Sequence, residues 1–262
     1  MPKPVTLITG ASAGIGAELA RVFAGHGHEL VLIARREAQL DALAAAIAAA
    51  GRARPHVLAI DLLERDAGER IARELGSRDL EPAIVVNNAG FGLAGEAAAL
   101  DRDQQLAMID LNVRVLTELS LRWTDSLARH RGGILNVASV SAFFPGPGMA
   151  VYYATKAYVL SFSEALHQEL KRRGIKVTVV CPGPVITEFQ ARAGLAEERL
   201  SKLLTRSAGR VARDAYKGFM AGRRVVIPGF ANRVAAVLPR LLPRPLTLGI
   251  IEKYQRQTFR RH

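Results

Sequence analysis

The chain has 262 residues, of which 49% are hydrophobic and 23% are charged, and its formal net charge is +12. This composition excludes a disordered or low-complexity protein, and the single cysteine, Cys181, excludes an intrachain disulfide framework. No charged-then-apolar leader precedes the first predicted strand, so we expect a cytoplasmic protein rather than a secreted one.

The charge is unevenly distributed along the chain. Residues 1–170 contain 16 Lys+Arg against 19 Asp+Glu, whereas residues 171–262 contain 20 against 5. Such an excess favours an anionic partner near the C-terminal third, which could be a phosphorylated or acyl-carrier substrate, a lipid surface or nucleic acid. Surface arginines that only keep the protein soluble are the alternative.

The first predicted strand leads into a glycine-rich loop. Val5–Thr9 is a short apolar run, the loop extends from Gly10 to Gly16, and an amphipathic helix follows through His26. Glycines allow backbone N–H groups to approach a pyrophosphate, which also gains from the positive end of the helix. The spacing G-x-x-x-G-x-G differs from G-x-G-x-x-G, so the loop alone predicts either a phosphate site or a tight turn.

Two arginines follow the second predicted strand, Glu29–Ala34. An acid that binds the ribose hydroxyls of NAD commonly lies at this position, whereas this chain has Arg35 and Arg36. The arginines suit a 2′-phosphate, so we expect NADP(H) rather than NAD(H). Ser12 in the glycine loop is a further candidate for binding this phosphate.

A helix, Glu37–Ala50, and a third strand, Pro55–Ile60, come next. Asp61 and Leu62 lie at the carboxyl end of this strand. Asp61 either accepts a hydrogen bond from an adenine amine or caps a helix that begins near Glu64.

The fourth predicted strand, Ala83–Val86, ends in the turn Asn87-Asn88-Ala89-Gly90. Asparagines in this position suit a turn that hydrogen-bonds to neighbouring backbone. Asp101–Leu127 is one long helical pattern with Asn112 in its middle. Asparagine is an indifferent helix residue, so an inward-facing Asn112 requires a polar partner.

A hydroxyl, a phenol and an amine lie close together after the fifth strand, Ile134–Ala138. Ser139 follows the strand, and a helix is predicted from about Tyr152. Tyr152 and Lys156 are four residues apart and share one helix face, so we expect the ammonium to lower the pKa of the phenol and make it an acid/base. Tyr153 lies three residues before Lys156 and competes for this role.

The sixth strand, Ile175–Cys181, ends in the proline-rich loop from Pro182 to Thr187. Gln190–Ala221 is predicted to form two helices and Arg224–Ile227 a last short strand. This alternation predicts an α/β protein with a single-domain, doubly wound parallel sheet, the Rossmann fold, whose ligand crevice lies at the carboxyl edge. One residue after each of five strands should line this crevice: Gly10, Asp61, Asn87, Ser139 and Pro182.

Together these motifs resemble the short-chain dehydrogenase/reductase family, from about Pro4 to about Gly229. The family's glycine motif and its N-N-A-G turn are both present. The step of thirteen residues from serine to tyrosine is the usual one in the family, which favours Tyr152 over Tyr153. The resemblance implies four active-site residues, Asn112, Ser139, Tyr152 and Lys156.

The resemblance also implies the reaction, a hydride transfer between NADP(H) and a carbonyl or secondary alcohol. Tyr152 would exchange the proton and Ser139 would hold the substrate oxygen. Lys156 would bias the ionisation of Tyr152 and bind the nicotinamide ribose, and Asn112 would help hold a water that relays protons to Lys156. The six histidines are scattered, so no metal is expected.

The expected cofactor contacts all surround the predicted crevice. They are Gly10, Ser12, Gly14, Ile15, Gly16, Arg35, Arg36, Asp61, Leu62, Asn88, Ala89, Gly90, Tyr152, Lys156, Pro182, Gly183, Val185 and Thr187. The expected partners are a small carbonyl or alcohol substrate, lipophilic or acyl-type, and further copies of the chain in a homodimer or homotetramer.

Residues 230–262 follow the predicted catalytic core, residues 1–229, as a basic amphipathic extension of the same domain. They alternate Leu, Ile and Val with Pro and Arg, and contain seven Lys or Arg against one acid, Glu252. The prolines and arginines argue against a membrane-spanning helix. We expect a helical or irregular extension that packs over the substrate pocket, forms a subunit contact or lies on an anionic membrane surface.

Two other classes of function fit parts of the sequence. A non-catalytic NADP-binding regulator could dispense with the four acid/base residues, whereas this chain keeps all of them. A nucleic-acid binder would interleave aromatic residues with its arginines, and the Arg-rich segments lack them, so no nucleic-acid partner is expected.

Overall fold

The computed structural model describes residues 2–194, 201, 203–241 and 243–258. Within this part of the chain, seven strands form one parallel sheet. The strands are Lys3–Thr9 (β1), Leu30–Ala34 (β2), His56–Ala59 (β3), Leu80–Asn87 (β4), Gly133–Val137 (β5), Lys176–Val180 (β6) and Val225–Val226 (β7). Their spatial order is β3-β2-β1-β4-β5-β6-β7, so the predicted doubly wound sheet is confirmed.

Helices connect the strands and cover both faces of the sheet. They are Gly14–Gly25 (α1), Glu37–Ala49 (α2), Ala67–Ser77 (α3), Arg102–Ile109 (α4), Leu116–Arg122 (α5), Thr124–Arg129 (α6), Ala150–Leu170 (α7), Glu188–Ala193 (α8), Ala208–Met220 (α9), Phe230–Leu241 (α10) and Arg244–Thr258 (α11). Short 3₁₀ turns span Val140–Phe143 and Lys171–Arg173.

Strands β1, β2, β5 and β6 are buried on both faces over most of their length, which is why they appear in the sequence as continuous apolar runs. On β1, Ile8 packs into the core beneath α1 and α9, whereas its neighbour Leu7 packs into the core beneath α3 and α5. The fully buried Phe23 and Phe219 belong to the first core and the fully buried Leu127 to the second. The sheet is therefore fixed from both sides.

The long helix predicted over Asp101–Leu127 is wrong as a single element. A π-helical turn, Asp110–Val115, separates α4 from α5, and a break at Trp123 separates α5 from α6. Such turns insert an extra residue into a helix and occur often at functional sites. This one contains Asn112, whose buried side chain binds the backbone of Phe91 instead of continuing a regular helix face.

The helix expected near Glu64 begins three residues later, at Ala67. Asp61 does not cap it. Its Oδ1 atom accepts from the Leu63 amide at 3.0 Å, which makes a local turn after β3. Of the two roles predicted for Asp61, the helix cap is therefore wrong, and the turn leaves Asp61 at the edge of the sheet.

The predicted C-terminal extension is present as α10 and α11. The helix pair predicted over Gln190–Ala221 corresponds to α8 and α9, although residues 195–200 and 202 lie outside the described residues. Residues 242 and 259–262 also lie outside them. Among the residues described, no helix combines the length and apolar character needed to cross a bilayer.

Candidate active site

The parallel register brings the strand ends together around one cavity. Asn87 at the end of β4 pairs with Asn136 on β5, and Val137 at the end of β5 pairs with Val180 at the end of β6. The loops that follow these strands enclose a cavity of about 1040 Å³. It extends between Arg35 at one end and the tyrosines of α7 at the other.

The glycine loop is tightly constrained where it borders this cavity. Gly10 and Gly14 have φ angles of +64° and +56°, which favour glycine. A Cβ atom at Gly10 would lie 2.9 Å from the Cα atom of Ala89. Helix α1 then begins after Ala13, which has no side-chain acceptor to cap it. This arrangement presents a positive helix end and close backbone to the cavity, and both suit a pyrophosphate.

Gly16, expected to contact the cofactor, lies behind the loop and does not line the cavity. A Cβ atom there would approach the Gly10 carbonyl oxygen to 2.3 Å. Its small size therefore permits packing of α1 against the loop.

The two asparagines of the N-N-A-G turn have different environments. Asn88 lines the cavity and its Nδ2 atom donates to the backbone oxygens of Thr9 and Gly10, at 3.0 and 3.2 Å. Asn87 was expected to line the crevice, and this is wrong. Its Nδ2 atom donates to Ser120 and Asn136 in the core, both at 2.9 Å, so Asn87 joins the sheet to a helix while Asn88 fixes the glycine loop.

Arg36 and Ser12 lie together at one end of the cavity. The Nη2 atom of Arg36 donates to Ser12 Oγ at 3.1 Å, and its Nη1 atom pairs with Glu188 Oε2 at 2.8 Å. Arg35 faces Asp61 instead, with Nη1 and Oδ2 3.7 Å apart. Glu188 was not identified from the sequence, because it lies more than 150 positions away from its partner.

Tyr152 and Lys156 lie at the other end, on the first turns of α7. Tyr152 is 9% exposed and Lys156 is 6% exposed. Lys156 Nζ lies 5.8 Å from the centre of the Tyr152 ring, within the range of a cation–π contact, and donates to the Val137 oxygen at 2.9 Å. Ser139 follows β5 in the same wall, and its Oγ atom accepts from the Ser141 amide.

Burial shifts the two titratable groups in opposite directions. It raises the pKa of Tyr152 to about 12, because desolvation outweighs the lowering effect of the Ser139 and Ser141 hydroxyls. It lowers the pKa of Lys156 to about 8. The expected net lowering of the tyrosine pKa is therefore wrong for this structure: the phenol stays protonated well above neutral pH.

Asn112 does not line the cavity. Its Nδ2 atom donates to the Phe91 oxygen at 3.0 Å and to Thr155 Oγ1 at 3.1 Å, and its Oδ1 atom accepts from the Phe91 amide at 3.1 Å. The amide thus joins the loop after β4 to α7, directly beside Lys156.

The wall near Tyr152 is predominantly apolar and was largely missed by the sequence analysis. It is formed by Phe91, Leu93, Ala107, Phe144, Met149, Tyr153, Phe189, Ala235, Ile250 and Ile251. Among the described residues that line this end of the cavity, Lys156 is the one with a cationic side chain. The only available signal was that Phe91 and Phe144 closely follow strand ends.

Most residues expected at the site are brought together. Those that line the cavity are Gly10, Ser12, Gly14, Ile15, Arg35, Arg36, Asp61, Leu62, Asn88, Ala89, Gly90, Ser139, Tyr152, Lys156, Pro182, Gly183, Val185 and Thr187. Gly16, Asn87 and Asn112 are the expected residues that do not line it.

Comparisons with known proteins agree with this architecture. A sequence model of the family described as short chain dehydrogenase matches residues 4–198. The chain belongs to the short-chain dehydrogenase/reductase family. It is 37% identical over 188 residues to a serine 3-dehydrogenase from Agrobacterium fabrum, with 70% of this chain and 72% of the relative covered.

Two solved structures of the family are similar over almost the whole chain. A short-chain dehydrogenase from Sphingobium yanoikuyae in complex with NADPH is 35% identical, with a TM-score of 0.79 and coverage of 91% of this chain and 93% of that one. A bulky-bulky ketone specific alcohol dehydrogenase from Comamonas testosteroni is 30% identical, with a TM-score of 0.75 and coverage of 92% and 94%. The protein is therefore an oxidoreductase that acts on CH–OH or C=O groups with a nicotinamide cofactor.

Stability at alkaline pH tests the environment of Lys156. Its pKa in the folded protein, about 8, is below the ordinary value of 10.5, so burying the ammonium costs free energy below pH 8 and this cost disappears as pH rises toward 10.5. We expect the free energy of unfolding of Lys156→Met, relative to wild type, to fall by about 2 kcal/mol between pH 8 and pH 10. Denaturant unfolding at each pH measures this difference.

Lys171→Met is the control, because Lys171 is exposed at the end of the same helix. Its difference from wild type should stay constant over this range. Tyr152 and Cys181, whose pKa values burial raises to about 12, destabilise the fold as pH rises past 9, but wild type and both variants contain them, so each comparison with wild type includes the same contribution. A Lys156→Met difference that does not change with pH would show that the ammonium is well solvated.

Proposed function

We propose that this protein is an NADPH-dependent reductase of bulky, uncharged ketones or aldehydes, in which Tyr152 donates the proton. The observation that carries the proposal is the single cavity that has a paired arginine and serine at one end and a buried tyrosine and lysine within an apolar wall at the other. A cofactor and a lipophilic carbonyl can bind in such a cavity side by side.

The described residues fit NADPH. Gly10, Gly14 and the start of α1 suit the pyrophosphate, and Arg36 with Ser12 suits the 2′-phosphate. The remaining expected contacts line the same cavity, where Asp61 and Leu62 would hold the adenine and Val185 and Thr187 would hold the nicotinamide. When bound, the nicotinamide supplies the hydride.

Tyr152 acts as the general acid in this proposal. Its raised pKa keeps the phenol protonated at neutral pH, as reduction of a carbonyl requires. As negative charge develops on the carbonyl oxygen, Tyr152 transfers its proton there and Ser139 holds the same oxygen by a hydrogen bond. The phenol thereby becomes a phenolate.

Lys156 stabilises that phenolate. Its ammonium is oriented by the bond to the Val137 oxygen and lies near the Tyr152 ring, so it provides a positive charge close to the place where negative charge appears. With a pKa of about 8 it is mostly protonated at neutral pH. The same amine is proposed to bind the nicotinamide ribose.

Asn112 acts through other groups. Its bonds to Phe91 and Thr155 fix the position of α7 relative to the cavity wall, which supports a positioning role. The water that relays protons from its vicinity to Lys156 stays a prediction.

The wall near Tyr152 supports the substrate class. A substrate with its own charge, such as serine, requires compensating charged groups, because a charge buried without a partner is costly. The aromatic and aliphatic side chains around Tyr152 instead favour large uncharged groups on the carbonyl. The similarity to an alcohol dehydrogenase specific for bulky-bulky ketones also supports this class.

Other expectations stay predictions. These are the homodimer or homotetramer and the cytoplasmic location. The alternative function, a non-catalytic NADP-binding regulator, is not favoured, because it would leave the cavity-lining tyrosine, lysine and serine without a use.

Replacing Tyr152 with Phe removes the proton donor and little of the shape. We expect turnover of an aromatic ketone to fall by ~10²–10⁴-fold, while NADPH binding stays close to that of wild type. Steady-state NADPH oxidation and fluorescence titration with NADPH measure the two effects.

Tyr153→Phe is the matched control, since Tyr153 is adjacent on α7 and also lines the cavity. Turnover by this variant should remain within roughly tenfold of wild type, as no proton-transfer role is lost. If Tyr153→Phe loses turnover and Tyr152→Phe does not, the acid is Tyr153 and the proposed assignment is incorrect.

Arg36 and Glu188 make the cofactor preference testable. Glu188 pairs with the Arg36 guanidinium, which is proposed to bind the 2′-phosphate. Glu188→Gln removes this competing carboxylate, so it should tighten NADPH binding and leave NADH binding unchanged. Arg36→Leu should weaken NADPH binding by roughly 10- to 100-fold, because a charge-assisted hydrogen-bond pair is worth about 1.5–3 kcal/mol.

Arg35→Leu is the comparison variant, because Arg35 faces Asp61 rather than Ser12. We expect it to weaken NADPH binding less than Arg36→Leu does. Calorimetric titration with both cofactors measures these constants. Equal affinity of the wild type for NADH and NADPH would contradict the preference, and a larger effect at Arg35 would transfer the phosphate site to that residue.

A further inference from the structure

The side of α10 that faces solvent is apolar. Phe230, Val234, Val237 and Leu238 are 77%, 45%, 51% and 51% exposed, and their spacing places them on one helix face. The opposite side is buried through Ala236. Surface helices of soluble proteins normally present polar residues to water. The exposed apolar face of α10 is therefore not explained by packing within the fold.

Helix α11 shows the same arrangement. Leu246 and Ile250 are each 53% exposed and lie four residues apart, with the exposed Lys253 three residues further on the same side, and Ile250 also borders the cavity. Thr247 and Ile251 are buried on the other side. Of the 14 large hydrophobic side chains that are exposed among the described residues, seven lie on α10 and α11, so the excess is local.

Both helices are also part of the cavity wall. Asn232 is buried and its Nδ2 atom donates to the oxygens of Pro228 and Leu204, at 2.8 and 3.1 Å, which fixes the start of α10. Ala235 on α10 and Ile251 on α11 line the cavity that contains Tyr152. The outer apolar faces therefore lie on the same two helices that enclose the proposed substrate end.

The charge around these two faces favours anionic lipid over a second copy of the chain as the partner that covers them. Residues 230–262 contain seven Lys or Arg and one acid, and Arg233 and Lys253 are exposed next to the apolar positions. In a symmetric dimer a surface contacts its own copy, so a second copy here would bring like charges together. Anionic lipid instead supplies both an apolar layer and negative headgroups.

We propose that the outer faces of α10 and α11 bind the surface of a bilayer containing anionic lipids. The apolar side chains enter the boundary between headgroups and acyl chains, and the exposed Arg233 and Lys253 contact the headgroups. A bilayer dissolves the lipophilic carbonyl compounds of the proposed function, so this contact places the enzyme where they concentrate. Only this last step rests on the proposed function.

Co-sedimentation of the full-length protein with vesicles tests the contact. Vesicles of phosphatidylcholine with about one-third phosphatidylglycerol should bind it at least about tenfold more tightly than phosphatidylcholine alone. Raising the salt from about 0.1 M to about 1 M should remove most of this difference, because it shortens the screening length to about 3 Å. Protein that stays in the supernatant with both vesicle types would overturn the proposal.

The combined variant Phe230→Gln, Val234→Gln and Val237→Gln removes apolar anchors that do not line the cavity. It should lose about tenfold or more in vesicle binding. NADPH binding confirms that the variant is folded. Leu121→Gln on α5, which also removes an exposed apolar side chain, is the control and should bind vesicles as wild type does.

Two results would contradict the lipid assignment. In the first, the triple variant binds vesicles as tightly as wild type does. A change from oligomer to monomer in the triple variant, with unchanged vesicle binding, is the other and would identify the face as a subunit contact. If vesicle binding follows the expected pattern but no ketone is reduced, the lipid contact stands and the proposed reaction fails.

Discussion

The parallel direction of the strands is the constraint on which the site depends. Because β1, β4, β5 and β6 all run in one direction, the chain leaves each of them at the same edge, and the segments that begin at Gly10, Asn88 and Ser139 converge there. The buried pair of Asn87 and Asn136 joins the two central strands next to this edge. Residues far apart in sequence thus line one cavity, because each of them follows a strand that ends at the same edge of the sheet.

Burial determines the chemistry of the two titratable groups in that cavity. The same desolvation keeps Tyr152 protonated and makes the ammonium of Lys156 easier to deprotonate. The hydrogen bond from Lys156 Nζ to the Val137 oxygen holds the amine close to the Tyr152 ring. In the proposed mechanism, the ammonium stabilises the phenolate that forms when Tyr152 loses its proton. This resting ionisation supports our proposal that the protein acts as a reductase.

Local patterns predicted the strands, the order of the motifs and most residues around the cavity. They succeeded because buried parallel strands are continuous apolar runs and because Tyr152 and Lys156 share a helix face by their spacing alone. They failed where long-range contacts decide. The inward turn of Asn87, the π-helical turn around Asn112, the pairing of Arg36 with Glu188 and the sign of the tyrosine pKa shift all depend on tertiary neighbours.

The central claim is that one cavity holds the nicotinamide and a bulky carbonyl in contact. The most direct test follows deuterium from NADPH labelled at both C4 positions into the product of an aromatic ketone, measured by mass spectrometry. The account predicts one deuterium on the carbinol carbon for each NADPH oxidised. Oxidation of NADPH without deuterium in the alcohol, or reduction of small charged aldehydes with none of bulky ketones, would contradict it.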